Sequence, residues 1–64
     1  MSDPEIIDKL AATYAARMQD PKSFHAAVLR AVDAELTYEE IAEAIGISRA
    51  RVFDVIARAR QLQR

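Results

Sequence analysis

Arginine is concentrated at the C-terminal end of this chain of 64 residues. Between residues 48 and 64 there are five arginines and a single acid, Asp54, whereas between residues 33 and 47 every charged residue is acidic. A guanidinium group carries its charge at every physiological pH, and its planar fork of donors matches phosphate oxygens and the O6 and N7 edge of guanine. This segment can therefore recognise anions and nucleobase edges. The net charge of -1 conceals that separation of charge.

The arginine-rich segment has the periodicity of an amphipathic helix. Ser48 is a suitable N-cap, and apolar residues then recur at helical spacing along one side. We expect a helix over residues 48–61 that packs by this apolar side and leaves the side bearing Arg49 open. The apolar residues are Val52, Val55, Ile56, Ala59 and Leu62.

A shorter helix is predicted immediately before it. Thr37 and Glu40 match a T-x-x-E capping box, which starts a helix. Gly46, the only glycine, follows the apolar residues of this helix and can adopt the left-handed conformation that ends one. Helix, tight turn and helix give the spacing of a helix-turn-helix. The alternative is two ordinary amphipathic helices of a small bundle, in which Gly46 is a simple C-cap.

The same segment resembles the C-terminal helix-turn-helix of bacterial sigma factors, which reads the upstream promoter element. The likeness covers about the last half of the chain and is carried by LTYEEI at 36–41, SRARV at 48–52 and ARAR at 57–60. Many helix-turn-helix DNA-binding proteins share this pattern, so the resemblance implies that superfamily first. The sigma family typically has Arg-Glu-Arg, an aliphatic residue and Arg-Gln. Here Ala50 replaces the glutamate and Phe53-Asp54 replaces Arg-Gln, so a different DNA sequence is expected.

Helix geometry selects the residues that would face DNA, because contacts in this motif come from the first turn of the second helix and from one turn later. Arg49 suits guanine, and Asp54 can accept from cytosine N4. Phe53 lies off the apolar stripe, so it contacts either a thymine methyl group or an N-terminal helix or partner chain. For the arginines, the alternative is a solvated face paired with neighbouring acids. The predicted base contacts are Ser48, Arg49, Ala50, Phe53 and Asp54, and the predicted phosphate contacts are Thr37, Tyr38, Arg51, Arg58 and Arg60.

The N-terminal half is expected to supply the scaffold of a single domain, residues 1–64. A helix from about Pro21 to Glu35 would join the motif in a trihelical core, residues 20–64. The helix within residues 1–19 either completes the core as a fourth helix or pairs with its copy in a homodimer. The fold expected is all-α, a small three- to four-helix bundle containing a helix-turn-helix. The candidate dimer residues are Ile6, Ile7, Leu10, Tyr14 and Met18.

Composition limits the other functions. The chain has no cysteine, which excludes disulfides and thiolate metal sites and favours a cytoplasmic location. His25 is the only histidine and is interpreted as a surface or phosphate-contacting residue, so no metal and no cofactor are expected. No catalytic arrangement and no membrane span are evident, so we expect neither an enzyme nor a membrane protein.

The sequence therefore predicts a sequence-specific double-stranded DNA-binding transcriptional regulator. It would act as a homodimer on a two-fold symmetric site, as a repressor or accessory factor of bacterial or phage origin. The alternative is a sigma-like protein-interaction module that binds RNA polymerase or another regulator, with Phe53 and the acidic helix as its contact surface.

Overall fold

The computed structural model describes residues 4–62, and this part of the chain contains α-helices and no β-strand. The all-α prediction is therefore confirmed. Residues 1–3 of the predicted N-terminal helix, and Arg64 among the five arginines, lie outside the described range. No helix within that range is long and apolar enough to cross a membrane. The helices are α1 (Pro4–Ala15), α2 (Pro21–Asp33), α3 (Tyr38–Ile45) and α4 (Arg49–Leu62).

Helix α2 begins at a well-formed N-cap. One Asp20 carboxylate oxygen accepts from the Ser23 backbone N–H at 3.2 Å, and the other accepts from the Ser23 hydroxyl at 2.6 Å. These two hydrogen bonds, first the one from the hydroxyl and then the one from the amide, hold the pKa of Asp20 below its ordinary value. Pro21 occupies the first turn, where its missing N–H costs nothing.

The end of α2 differs from the prediction. The helix stops at Asp33 and not at Glu35, because Glu35 adopts a left-handed conformation with φ of 65°. The chain reverses there so that Leu36, only 6% exposed, returns to the core. The Leu36 N–H donates to the Ala31 carbonyl oxygen at 3.1 Å, which satisfies a helix-end carbonyl.

The predicted start and end of α3 are confirmed. The Thr37 hydroxyl accepts from the Glu40 N–H at 3.1 Å, while a Glu40 carboxylate oxygen accepts from the Thr37 N–H at 2.8 Å. Gly46 is left-handed with φ of 74°, and the Ile47 N–H donates back to the Ala42 carbonyl oxygen at 3.1 Å. The Ser48 hydroxyl then accepts from the Arg51 N–H at 3.3 Å at the start of α4.

The core lies at the centre of a ring of four helices. Helix α1 packs against α2 and α3, and α4 packs against the same two helices from the other side. Each helix contributes one of the largest fully buried side chains, because its apolar stripe faces the centre. These side chains are Leu10, Val28, Ile41 and Val52.

Helix α1 is therefore the fourth helix of the core. Ile6 and Leu10 are only 7% and 0% exposed within the monomer, so their predicted place in a dimer interface is wrong. Their side chains belong to the core of the monomer and leave almost no surface for a second chain. Ile7 and Tyr14 are half-buried and pack against the same core, whereas Met18 is exposed.

Candidate nucleic-acid interface

Helix α4 packs by the aliphatic side that its sequence predicts, except at Leu62, which was expected in the apolar stripe but is 60% exposed at the end of the helix. Val52, Ile56 and Ala59 are almost completely buried, at 0%, 2% and 0% exposure. The opposite side of its first two turns is open, and every residue predicted to contact bases is exposed there. The helix begins directly after the Gly46 turn, so this face projects from the end of the motif. The exposed residues are Ser48, Arg49, Ala50, Phe53 and Asp54.

Arg49 has a carboxylate neighbour on α3. Its guanidinium lies 3.8 Å from a carboxylate oxygen of Glu39, and the two side chains are 66% and 75% exposed. An ion pair this open to water is weak, because solvent screens it and both side chains lose freedom in forming it. Glu39 therefore holds Arg49 loosely, and a phosphate or a guanine edge can take its place. For Arg49, the structure therefore supports the alternative in which an arginine on a solvated face pairs with a neighbouring acid.

Phe53 contacts Tyr38 of α3. Their ring centroids are 4.5 Å apart at 80°, an edge-to-face arrangement. Of the alternatives for Phe53, contact with an N-terminal helix is not observed, since the ring that it meets belongs to the motif itself. Contact with a thymine methyl group or with a partner chain stays a prediction. Phe53 is still 56% exposed, so most of its ring is available to another molecule. Its orientation is restricted by Tyr38, which reduces the entropy lost when it binds.

The phosphate candidates flank α4 on two sides. Thr37 and Tyr38 lie at the start of α3, beside Arg49 and Phe53, and together they line a shallow depression of about 320 Å³. Arg51 and Arg58 lie on the other flank and line a groove shared with α1 and α2. These two arginines are seven residues apart, so they lie on nearly the same side of α4 with a rise of about 10.5 Å between them.

Arg60, the last phosphate candidate, is also exposed. Among residues 4–62, neither it nor Arg51 nor Arg58 forms an ion pair. The alternative in which the arginines pair with neighbouring acids therefore does not hold for these three. Their guanidinium groups are open to an external anion.

The acids near the motif have a structural role in α3. Glu39 and Glu40 lie in its first turn, where the helix dipole favours negative charge. Glu40 also completes the capping box with Thr37. Acidic and basic charge are therefore separated between α3 and the flank of α4 that bears Arg51 and Arg58. This polarity favours one orientation of an approaching polyanion.

Two residues near α4 differ from the sequence interpretation or were missed by it. His25 is not a surface residue: it is only 9% exposed and its ring packs 5.7 Å from that of Phe24. Its three-residue spacing from Val28 on the apolar face of α2 was the available signal. Arg17 was not singled out, yet its guanidinium lies 3.9 Å from the centre of the Tyr14 ring. Within residues 4–62, no group of histidines and acids is placed to hold a metal ion.

Comparison with known proteins gives no relative from which a function could be transferred. No protein-family model, no curated protein and no solved structure matches this chain. The function has to be inferred from the geometry of α4, its flanking charges and its neighbouring helices.

Proposed function

We propose that this protein is a sequence-specific double-stranded DNA-binding regulator of transcription whose helix α4 enters the major groove. The supporting observation is the orientation of α4. Its aliphatic side is buried by α2 and α3, and the N-terminal turns of its other side carry exposed residues suited to base edges. A helix held in this way after a tight turn is the reading element of helix-turn-helix proteins.

The chemistry of reading follows from the exposed side chains. Arg49 exchanges its weak contact with Glu39 for two hydrogen bonds to guanine O6 and N7. Asp54 accepts from cytosine N4, and Ala50 and Phe53 contact thymine methyl groups. Because the Phe53 ring rests on Tyr38, it meets the base in a fixed orientation.

Phosphate contacts on both flanks position the helix. Thr37 and Tyr38 meet one strand beside the start of α3, while Arg51 and Arg58 meet the other. Arg60 lies nearly opposite Arg51 around α4, on the side that bears Arg49 and Phe53, and meets a phosphate further along that side. Such contacts fix orientation without reading sequence, and they make affinity fall as salt rises.

The protein acts as a homodimer on a two-fold symmetric site in this proposal. A single helix of this length makes few base contacts, and two copies with half-sites about 34–36 Å apart supply the affinity. Because Ile6 and Leu10 are buried, the dimer surface uses other residues, such as the half-buried Ile7 of α1. A small homodimer that binds a two-fold symmetric DNA site would serve as a cytoplasmic repressor or accessory factor of a bacterium or phage.

One observation favours a second candidate function, a sigma-like module that binds RNA polymerase or another regulator. Phe53 is more than half exposed and lies next to the acidic first turn of α3. An aromatic side chain bordered by Glu39 is also a suitable contact for a protein partner.

The decisive experiment selects bound sequences from a random duplex pool and then measures affinity for the selected duplex at two salt concentrations. Arg49→Ala should weaken specific binding by about 5- to 150-fold, the equivalent of about 1–3 kcal/mol for one bidentate base contact, and should relax selectivity at one position. Arg30→Ala is the matched control, because Arg30 is exposed on α2 away from α4, and it should leave affinity unchanged.

Two results would contradict the proposal. Binding that is undetectable at low salt, or unchanged selectivity in a folded Arg49→Ala variant, would favour the protein-interaction module. For the dimer, sedimentation of the free and DNA-bound protein is the test. A monomer that occupies its site as a single copy would refute that part alone.

A further inference from the structure

An open groove runs along the flank of α4 that faces away from α3. It has a volume of about 310 Å³ and lies between the end of α1, the start of α2 and α4. That volume is at the lower end of the range of small-molecule sites, about 300–1,000 Å³. Most of its lining is apolar and comes from three helices and the turn before α4. The apolar lining residues are Tyr14, Met18, Pro21, Phe24, Ile47 and Val55.

One wall of the groove is built from packed rings. Tyr14 and Phe24 meet edge to face with centroids 5.4 Å apart, and Phe24 in turn contacts His25 at 5.7 Å. Phe24 and His25 are buried, so this wall is rigid. Met18 at the rim is 82% exposed, and its flexible thioether side chain can adapt to a bound molecule. The groove therefore has a rigid base of packed rings and an adjustable edge.

The charged lining of the groove is cationic. Arg17, Arg51 and Arg58 line it, and no acid does so. Asp20 precedes Pro21, but both of its carboxylate oxygens are bonded to Ser23. Within residues 4–62, none of the three arginines forms an ion pair. Their charge is available to an anion that enters the groove.

Arg17 is held ready for such an anion. Its guanidinium stacks 3.9 Å from the centre of the Tyr14 ring, and one of its nitrogens donates to the Tyr14 carbonyl oxygen at 2.8 Å. A guanidinium fixed in this way loses less freedom when it binds a carboxylate than a free arginine would.

We propose that this groove binds a small amphipathic monocarboxylate, with its aromatic or short alkyl body against the apolar lining at Met18, Ile47 and Val55 and its carboxylate at the arginines. Inorganic phosphate would use the cations but leave the apolar wall empty, and a neutral hydrocarbon would do the reverse. A molecule with both parts satisfies both features. If the proposed DNA-binding function is right, the ligand is also an effector, because Arg51 and Arg58 are phosphate contacts there and the bound carboxylate competes for them.

The binding test is an NMR titration of backbone amides with 3-phenylpropanoate. Chemical-shift changes should be confined to residues around the groove and should saturate. The dissociation constant should be about 1–10 mM, the range expected for a ligand of about ten non-hydrogen atoms. Two matched controls separate the two parts of the ligand: 3-phenylpropan-1-ol has the same body without the charge, and propanoate has the charge without the body. Each should bind at least about tenfold more weakly, because each lacks one of the two contacts.

Variants test the role of Arg17. Arg17→Gln should weaken binding about tenfold through loss of one charge-assisted contact, whereas Arg30→Gln should have no effect. The dispersion of the amide spectrum shows whether each variant is folded. Arg58→Gln provides the same test if Arg17→Gln does not fold. Shifts that spread over the surface without saturation, or equal binding of the acid and the alcohol, would overturn the proposal.

A DNA arm separates the ligand site from the proposed function. With the selected duplex, 3-phenylpropanoate should raise the dissociation constant of the wild-type protein. It should not raise that of Arg17→Gln, whose affinity without ligand stays unchanged. Saturable binding in the groove with no effect on DNA affinity supports the site and refutes its regulatory role. If the protein binds no DNA, the proposed function fails while the NMR titration still decides the groove.

Discussion

Two helices of this protein end at a residue with positive φ, and only one of these residues is a glycine. Gly46 has φ of 74° after α3, and Glu35 has φ of 65° after α2. The next residue donates to a carbonyl five positions back in both cases, from Ile47 at 3.1 Å and from Leu36 at 3.1 Å. Glycine adopts this conformation freely, whereas an L side chain in it costs about 1–2 kcal/mol. Opposite substitutions at the two positions should therefore have opposite effects on the free energy of unfolding.

The magnitudes can be worked out from the surroundings. A Cβ added at Gly46 would meet nothing within 4 Å, so Gly46→Ala carries the backbone cost without a clash. The smaller conformational entropy of an unfolded chain with alanine offsets about 0.4–1 kcal/mol of that cost, which leaves a net loss of about 0.5–1.5 kcal/mol. Glu35→Gly reverses both contributions and should stabilise by about the same amount, about 0.5–1.5 kcal/mol. For a domain of this size, 1 kcal/mol corresponds to a change in Tm of about 4–8 °C.

Urea unfolding followed by circular dichroism measures both effects on one scale. Ala34→Gly is the matched control, because Ala34 precedes Glu35 at a negative φ of -83° and gains nothing from glycine. We expect it to lower stability while Glu35→Gly raises it. If Glu35→Gly is as destabilising as Ala34→Gly, or if Gly46→Ala is neutral, then left-handed residues do not end these helices and the described turn before α4 is wrong.

Two further predictions concern the motif and the start of α2. A double-mutant cycle on Tyr38→Ala and Phe53→Ala should give a coupling of about 0.5 kcal/mol in the free energy of unfolding. This is the lower end of the usual range of about 0.5–1.5 kcal/mol for an aromatic pair, because Phe53 is more than half exposed. Strictly additive losses would show that the two rings do not interact. The lowered pKa of Asp20 means that its stabilising effect is complete above the unfolded-state value of about 3.9 and is lost as pH falls through the lower folded-state value. Asp20→Asn keeps an N-cap without a titrating group. Urea unfolding between about pH 2.5 and 6 should therefore show a smaller loss of unfolding free energy at acid pH in this variant than in wild type. The same pH dependence in both proteins would contradict the role of the Ser23 hydrogen bonds.

The motif could be predicted because its signals are local. The Thr37–Glu40 capping box, the Gly46 turn and the Ser48 cap each involve residues within a few positions of one another. The apolar stripe of α4 also repeats over short distances, so its buried and exposed sides follow from periodicity. The exposure of Arg49 and the residues around it was predictable for the same reason.

Features set by distant parts of the chain were not predictable. Periodicity shows that Ile6 and Leu10 share a face but does not say whether that face meets its own chain or another. The early end of α2 has no glycine to mark it, since Glu35 is held left-handed by the return of Leu36 to the core. The Phe53 contact with Tyr38 depends on the relative placement of two helices.

The cationic groove shows the same limit within the candidate site. Its lining joins residues from α1, α2 and α4 that are up to about forty positions apart, and none of them forms a local motif. Arg17 gains significance only when the turn after α1 places it in the same groove as Arg51 and Arg58. A pattern search along the chain has no means of finding such a set.

The ring of helices has a consequence for how the protein unfolds. Since each helix packs against two others and contributes one of the largest fully buried side chains to a shared centre, withdrawing any helix exposes that centre and the two helices beside it. Melting should consequently be all-or-none, with no surviving fragment that still presents α4. Warming should then remove the folded protein over a narrow range of temperature and not by a gradual decline.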